Sequence, residues 1–467
     1  MLPSVFLKGR YYMTQEQNLL TGSVTNKLIQ FAFPLFLANL LQALYNVVDM
    51  LVVGEFVGAI GLAAISNASM LCFIINSLCI GLTMGGSVLV AQYKGTDDQK
   101  GQRDTIGMLF LLSLAASAVV TILGLAVCEP LFRALDVPAE AYPDACGYME
   151  IICWRTVFVF GYNTVCSILK GLGDSKTPLF FVGVATIFNV LLDVLLVGPC
   201  SMGTVGAAWA TITAQGVSFV GSLVYLRRHQ LSVSPRKIKF RREILLAICK
   251  IGLPTAIQMV VVNAAYLLVT GMLNPFGTSV AAASGVGLKI NTFAGMHCWA
   301  IGQAITAMVG QCMGAGQIQR ARKVVWSGLL LNLAVTTAVV VEVQLLAEPL
   351  ICLFDSTSQE VIRVGVLYLR LCCGVNSLVY AAMYTLDSFA IGVGAAYVAM
   401  VNALLDAMVV RLPVGWLLAF SFSMGFSGIY LGQALSPILP ALVGLIYFKR
   451  RGWERKRLVH ETSREGI

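Results

Sequence analysis

From Ile106 to Val127 the chain passes without one charged side chain, and runs of this kind recur along its length. A helix of about 20 apolar residues crosses the roughly 30 Å hydrocarbon core of a bilayer. Inside that core every backbone N–H and C=O must be satisfied within the protein, which leaves only helices and closed barrels. The runs are continuous rather than alternating, and this excludes a transmembrane barrel. Only 12% of the 467 residues are charged, against 58% hydrophobic, about half the charge of a typical soluble domain. The sequence therefore predicts an all-α polytopic membrane protein.

Twelve spans can be laid down, at 28–52, 59–82, 105–127, 146–168, 178–198, 204–226, 244–270, 279–301, 324–346, 364–386, 390–412 and 424–447. They fall into two copies of one pattern. Pro34 returns as Pro254, Ala91-Gln92-x-x-Gly95 as Gly310-Gln311-x-x-Gly314, Arg103 as Arg322, and Glu129-Pro130-Leu131 as Glu348-Pro349-Leu350, all about 220 residues later. Tyr148 and Cys153 return as Tyr368 and Cys373, and Asn189-x-x-x-Asp193 as Asn402-x-x-x-Asp406, by which point the second copy is about seven residues shorter. Each copy holds six spans, an even number, so both enter the membrane with the same orientation and form parallel repeats.

The basic residues set that orientation. Lys94, Lys100 and Arg103 follow span 2, Lys170 and Lys176 follow span 4, and Arg320, Arg322 and Lys323 follow span 8. A denser cluster, Arg227 to Arg242, follows span 6, and the tail adds Lys449 to Arg464. The opposite loops carry Glu55, Glu129, Asp136, Glu140, Glu348, Asp355 and Glu360. By the positive-inside rule both termini are cytoplasmic. A solvated inner face near anionic lipid then accounts for the net charge of +9 without nucleic acid. The expected organisation is a cytoplasmic segment 1–27, a six-helix lobe 28–226, a basic linker 227–243, a second lobe 244–447 and a basic tail 448–467, in the cytoplasmic membrane. No cleavable leader pattern is visible in 1–27. The 13 cysteines show no metal-ligand spacing, and most sit in spans as small packing residues.

A carboxylate near the middle of a span costs about 2.5–3.5 kcal/mol on insertion scales, so each one is a candidate for function. Asp49 lies in span 1 with Asn46, Tyr45 and Gln42 one and two turns back on the same face. Pro34 interrupts that helix and offers a bend. Asn189 and Asp193 are one turn apart in span 5. Their carboxylate and amide oxygens suit Na⁺, or the carboxylate can hold a proton. Tyr148 and Thr211 in the flanking spans can add hydroxyl oxygens. Asp406 repeats Asp193, but Arg411 follows it closely, so it reads either as half of a structural ion pair or as a cavity group. Asp387 reads as a loop anchor or a cavity carboxylate. Lys289 and Arg155 are unusual buried positive charges within spans, and His297 two turns beyond Lys289 is a titratable neighbour. Gly81, Gly85 and Gly86 permit close helix approach. No phosphate-binding glycine loop accompanies them, and no nucleophile–base or metal set is visible. The chain is therefore expected to be no enzyme and to hold no cofactor, its energy coming from a gradient.

Taken together, Pro34 with Asp49, Gln92-x-x-Gly95, the two Glu-Pro-Leu stretches, Lys170-Gly171-x-Gly173-Asp174-x-x-x-Pro178 and Asn189-x-x-x-Asp193 resemble the multidrug and toxic compound extrusion family, over approximately 25–447. The resemblance implies a V-shaped transporter of two six-helix lobes. It implies export of amphipathic, often cationic compounds by antiport with Na⁺ or H⁺. It gives the cation-coupling role to Asp49, Asn189 and Asp193, with Tyr148 and Thr211 completing the site, and Na⁺ itself would be held by the first three. Where some members carry a seventh-helix Glu, this chain has Gln258, which concentrates coupling in the first lobe. Pro34, Gln42, Asn46, Gln258, Lys289, Asp387 and Asp406 remain cavity or conformational candidates. The nearest alternative is a flippase for lipid-linked saccharides or anionic lipids, for which Arg155 and Lys289 would hold phosphate. The expected partners are amphipathic small molecules and membrane lipids, met by a functional monomer.

Overall fold

The computed structural model describes residues 18–134, 142–229, 238–354, 358–456 and 458–459, with only the backbone at 59–71, 131, 134 and 144. The segment 1–17, residues 230–237 of the expected linker, the tail beyond 459 and the loop acids Asp136, Glu140 and Asp355 lie outside them.

The described chain is helical. In order come α1 Val24–Phe56, α2 Ala59–Gly95, α3 Gln99–Ala134, α4 Tyr142–Leu172, α5 Lys176–Val197 and α6 Gly203–Arg228. The second half supplies α7 Arg242–Leu273, α8 Thr278–Gly314, α9 Ile318–Leu345, α10 Gln359–Cys372, α11 Asn376–Gly392, α12 Ala396–Ser421 and α13 Phe426–Lys449. Ten of the described helices are long and apolar enough to cross a membrane, and α10 with α11 make an eleventh, bent by 48°. The remaining expected span, 279–301, falls within α8, long enough at 37 residues but less apolar.

Two compact units emerge, one of Leu37–Ala256 and the other of Leu19–Phe36 with the described residues from Ile257 on. Neither follows the chain-order limits of 28–226 and 244–447. Each unit takes the opening turns of a helix whose remainder belongs to the other, and the changes fall two residues after Pro34 and Pro254. Proline removes one intrahelical hydrogen bond and favours a local bend.

Small residues hold these opening turns. In the first unit a Cβ on Gly81 would sit 2.4 Å from the Ala256 backbone, and one on Gly85 2.3 Å from the Ile248 carbonyl oxygen. Backbones at that distance exclude any side chain. In the second unit the corresponding positions are Ala300 and Ala304, fully buried in one core with Leu28, Phe31, Ala32 and Leu35.

The expected continuous span 364–386 is broken at 373–375, where α10 ends and α11 begins. A break at membrane depth frees carbonyls that need other donors. The Asn376 side chain accepts from the Gly374 N–H at 3.1 Å and donates to the Cys372 carbonyl at 3.0 Å. Gln344 on α9 donates to the Leu369 and Cys373 carbonyls at 3.0 and 3.1 Å. Likewise the expected span 390–412 starts later, at Ala396, because Gly394 turns the chain at φ +86°, a conformation glycine adopts without strain.

Candidate functional site

The first unit buries two carboxyl groups against each other. Asp49 on α1 is 8% exposed and Asp193 on α5 fully enclosed. Their carboxyls lie within hydrogen-bonding reach of one another. Asp193 is there because the α5 spacing of four puts it on one face with Asn189, also buried. On α6, Thr211 acts as the hub beside them. Its hydroxyl donates to the Ala207 carbonyl at 2.9 Å and accepts from Tyr45 Oη and Asn189 Nδ2, each at 3.3 Å. With the Asn189 amide nitrogen turned to Thr211, its Oδ1 is left pointing elsewhere.

The acceptors then stand without donors. Among the described residues, no protein donor completes a hydrogen bond to Asp49 Oδ1, Asn189 Oδ1 or either Asp193 oxygen, although the Asn189 amide lies near Asp193. A buried polar atom left unpaired costs about 1–3 kcal/mol, and more when charged. Two carboxyls so close either share a proton or hold a cation between them. No three His, Cys, Asp or Glu side chains converge among the described residues. A metal ion here would therefore rest on two carboxylates and the neutral Asn189 oxygen, hard ligands that suit Na⁺ rather than a transition metal.

Tyr148 and Arg155 complete the wall from α4. They are seven residues apart, two helical turns, and so share a face; both are buried. Both lie within electrostatic reach of Asp49, and among the described residues no protein acceptor reaches Arg155 Nε. A cavity of about 50 Å³ meets the site at Tyr45, Asn189 and Thr211 and is lined further by Gln42, Tyr162 and Gln215, among others. Drug-sized ligands occupy roughly 300–1,000 Å³, whereas one water needs only about 10–15 Å³ on this measure. In this conformation the chamber suits a cation and its water.

Asp49, Asn189, Asp193 and Thr211 are thus brought together, Tyr148 lies within electrostatic reach of Asp49, and Gln42 lines the cavity. Asn46 is exposed, so the polar stripe of span 1 divides, Tyr45 and Asp49 turning inward. Tyr45 and Arg155 belong to the site although the sequence did not assign them there. The seven-residue spacing from Tyr148 was the available signal for Arg155. Pro34 and Gln258 belong to the second unit, Pro34 buried and Gln258 half-buried. Lys289 is exposed, which corrects its reading as a buried charge. The buried stripe of α8 runs Val280, Ala283, Ser284, Gly287, Ile290, and position 289 falls off that periodicity.

The second unit gathers other acids. Asp387 is buried, which excludes the loop-anchor reading, and its Oδ1 accepts from Asn402 Nδ2 at 2.6 Å. Asp406 is ion-paired with Arg411 at 2.7 Å, and the guanidinium lies 4.5 Å from the centre of the Tyr266 ring. His297 meets Thr336 Oγ1 at 2.7 Å, a packing contact between α8 and α9.

Comparison with known proteins follows the same duplication. The MatE family model matches residues 34–195 and again 254–417. A probable multidrug resistance protein of Bacillus subtilis, YpnP, is 29% identical over 449 residues, 94% of this chain and 98% of the relative. The probable multidrug resistance protein NorM of Thermotoga maritima is 25% identical over 463 residues, 96% of each. Among solved structures, the outward-facing conformation of a multidrug resistance MATE family transporter superposes with a TM-score of 0.90 at 21% identity, covering 95% of this chain and all of that one. With each repeat matched separately and relatives aligned almost end to end, the chain belongs to the MatE family, the multidrug and toxic compound extrusion proteins of the membrane.

Proposed function

We propose that this protein is a secondary active exporter of amphipathic, often cationic compounds, driven by the inward movement of Na⁺ or H⁺. The observation that carries the reading is the set of buried, donor-less oxygens on Asp49, Asn189 and Asp193 beside an ion-sized cavity. Family membership and the multidrug names of the aligned relatives support the substrate class. The anionic-lipid alternative has no such support. The protein works as a monomer in the cytoplasmic membrane with both termini inside.

In this cycle the ionised Asp49 and Asp193 attract an amphipathic cation while the site is open to the cytoplasm. After outward opening, Na⁺ or a proton is bound between the two carboxyls, with Asn189 Oδ1 as a further acceptor. The negative charge that held the substrate is then neutralised and the substrate leaves. Thr211 holds the Asn189 amide in the orientation that presents its oxygen. Pro34 lets α1 bend as Asp49 changes partner. Coupling requires the ion to favour one conformation over the other, because equal affinity for both shifts nothing.

Everted vesicles test this. Asp49→Asn and Asp193→Asn are expected to abolish ion-driven uptake of a fluorescent amphipathic cation while the proteins remain folded and inserted. Full uptake by both variants would remove the proposed site.

A further inference from the structure

Asn402-x-x-x-Asp406 is the second unit's copy of Asn189-x-x-x-Asp193, yet its carboxylate has a different partner. Where Asp193 faces another acid, Asp406 Oδ2 faces Arg411 Nη2 at 2.7 Å, both side chains about 95% buried; the contact is a charge pair without hydrogen-bond geometry, and among the described residues Arg411 Nε and Nη1 have no acceptor. The two are five residues apart. In an α-helix that separation turns side chains about 140° away from each other, as with exposed Glu150 and buried Arg155 on α4. Over Leu405–Arg411, however, α12 widens into a π-helix. Its i→i+5 bonding brings residues five apart to one side, and such bulges gather at functional sites. The widening is what delivers Arg411 to Asp406.

Among the described residues the pair is also faced by Asp387, within electrostatic reach of Asp406, by Tyr266, whose ring lies against the guanidinium, and by Tyr380 and Cys372, within electrostatic reach of Arg411. Asp387 holds the Asn402 amide nitrogen at 2.6 Å, and among the described residues no protein donor reaches Asn402 Oδ1. Without the Arg411 guanidinium the cluster would contain two carboxylates and one amide, the same acceptors as Asp49, Asn189 and Asp193, where Arg155 lies within electrostatic reach of Asp49. Only the Asn–Asp pair is inherited from the repeat, since Asp387 and Arg411 have no counterparts at Asp49 and Arg155.

We propose that Arg411 is a tethered surrogate for the coupling cation: it permanently occupies the carboxylate that repeats Asp193, so only the first unit exchanges an ion. This rests on the cation-exchange reading of the first unit. Arg411 is on this account a specificity residue that fixes how many ions move per cycle.

The test counts cations bound by the purified full-length protein, Na⁺ by radioisotope binding and H⁺ by uptake after a pH jump. Arg411→Met is expected to bind one cation more than the wild type. Asp406→Asn with Arg411→Met, which removes both charges, is expected to return to the wild-type number. The melting temperature of Arg411→Met should also rise with added Na⁺ or acid, and that of the double variant should not. An unchanged count in a folded Arg411→Met protein overturns the proposal. So does failure of Arg411→Met to fold at any Na⁺ concentration or pH while the double variant folds, because an ion can take a surrogate's place. Asp49→Asn with Asp193→Asn separates the two readings: if it leaves the wild-type count unaltered, the first-unit site is wrong, whatever Arg411→Met does.

Discussion

Thr211 is a small residue on which the geometry of the first-unit site depends. It spends its one proton on the Ala207 carbonyl, so it can only accept from Tyr45 and Asn189. Thr211→Val keeps the shape and removes the one oxygen that accepts both bonds, leaving two donors unpaired at about 1–3 kcal/mol each. The expected result is a lower melting temperature and a cation affinity weakened about 10- to 100-fold, the usual penalty for losing a group that orients a ligand. Cation-titrated transport beside thermal unfolding measures both, and an unchanged cation dependence would show that Thr211 does not orient Asn189. Conversely, Asp193→Asn removes one of two facing, donor-less carboxyls. It is expected to unfold at a higher temperature than the wild type while losing coupling, since functional sites trade stability for activity. A lower melting temperature would mean that Asp193 has a stabilising partner. The acids were legible in the sequence because a charge in an apolar span stands out. Arg155 stood out equally, but a sequence does not say which helix faces it. Lys289 misled for the converse reason: its span was right and its face was not.

At the scale of the element, departures from regular helix carry the architecture. The break between α10 and α11 is tolerated because Asn376 and Gln344 satisfy the freed carbonyls. Gln344→Leu removes two of these hydrogen bonds. The Leu369 carbonyl keeps the Cys373 N–H, so the variant is expected to lose about 1–3 kcal/mol for the Cys373 carbonyl left unpaired, seen as a lower melting temperature in detergent. A neutral effect would mean that water reaches the break. This break was hidden in the sequence, since Cys373-Gly374-Val375 continues an apolar run and half of its support comes from α9. The π-helix of α12 was equally hidden, because nothing in Leu405–Arg411 distinguishes it from an α-helical segment except the spacing of Asp406 from Arg411. Pro34 and Pro254, by contrast, mark in the sequence where α1 and α7 pass from one unit to the other.

For the whole molecule, duplication supplies two units and the acids make them unequal. The first offers Asp49 and Asp193 facing each other; the second has already paired Asp406 with Arg411. The duplication was legible because its landmarks keep their order, and the family match falls on both copies. The orientation proposed from loop charge puts the turn between α5 and α6 outside. Exposed Cys200 in that turn is therefore expected to react with a membrane-impermeant maleimide in intact cells, and Cys200→Ser to lower the labelling. Labelling of Cys200 only after permeabilisation would invert the topology. The central claim, that ion exchange at Asp49, Asn189 and Asp193 drives export, is tested most directly in proteoliposomes. Transport of a fluorescent amphipathic cation is followed under Na⁺ and pH gradients imposed separately, for the wild type and for Asp49→Asn with Asp193→Asn. The account predicts that at least one gradient drives transport by the wild type and neither drives it in the variant. Equal gradient-driven transport by both proteins would contradict it.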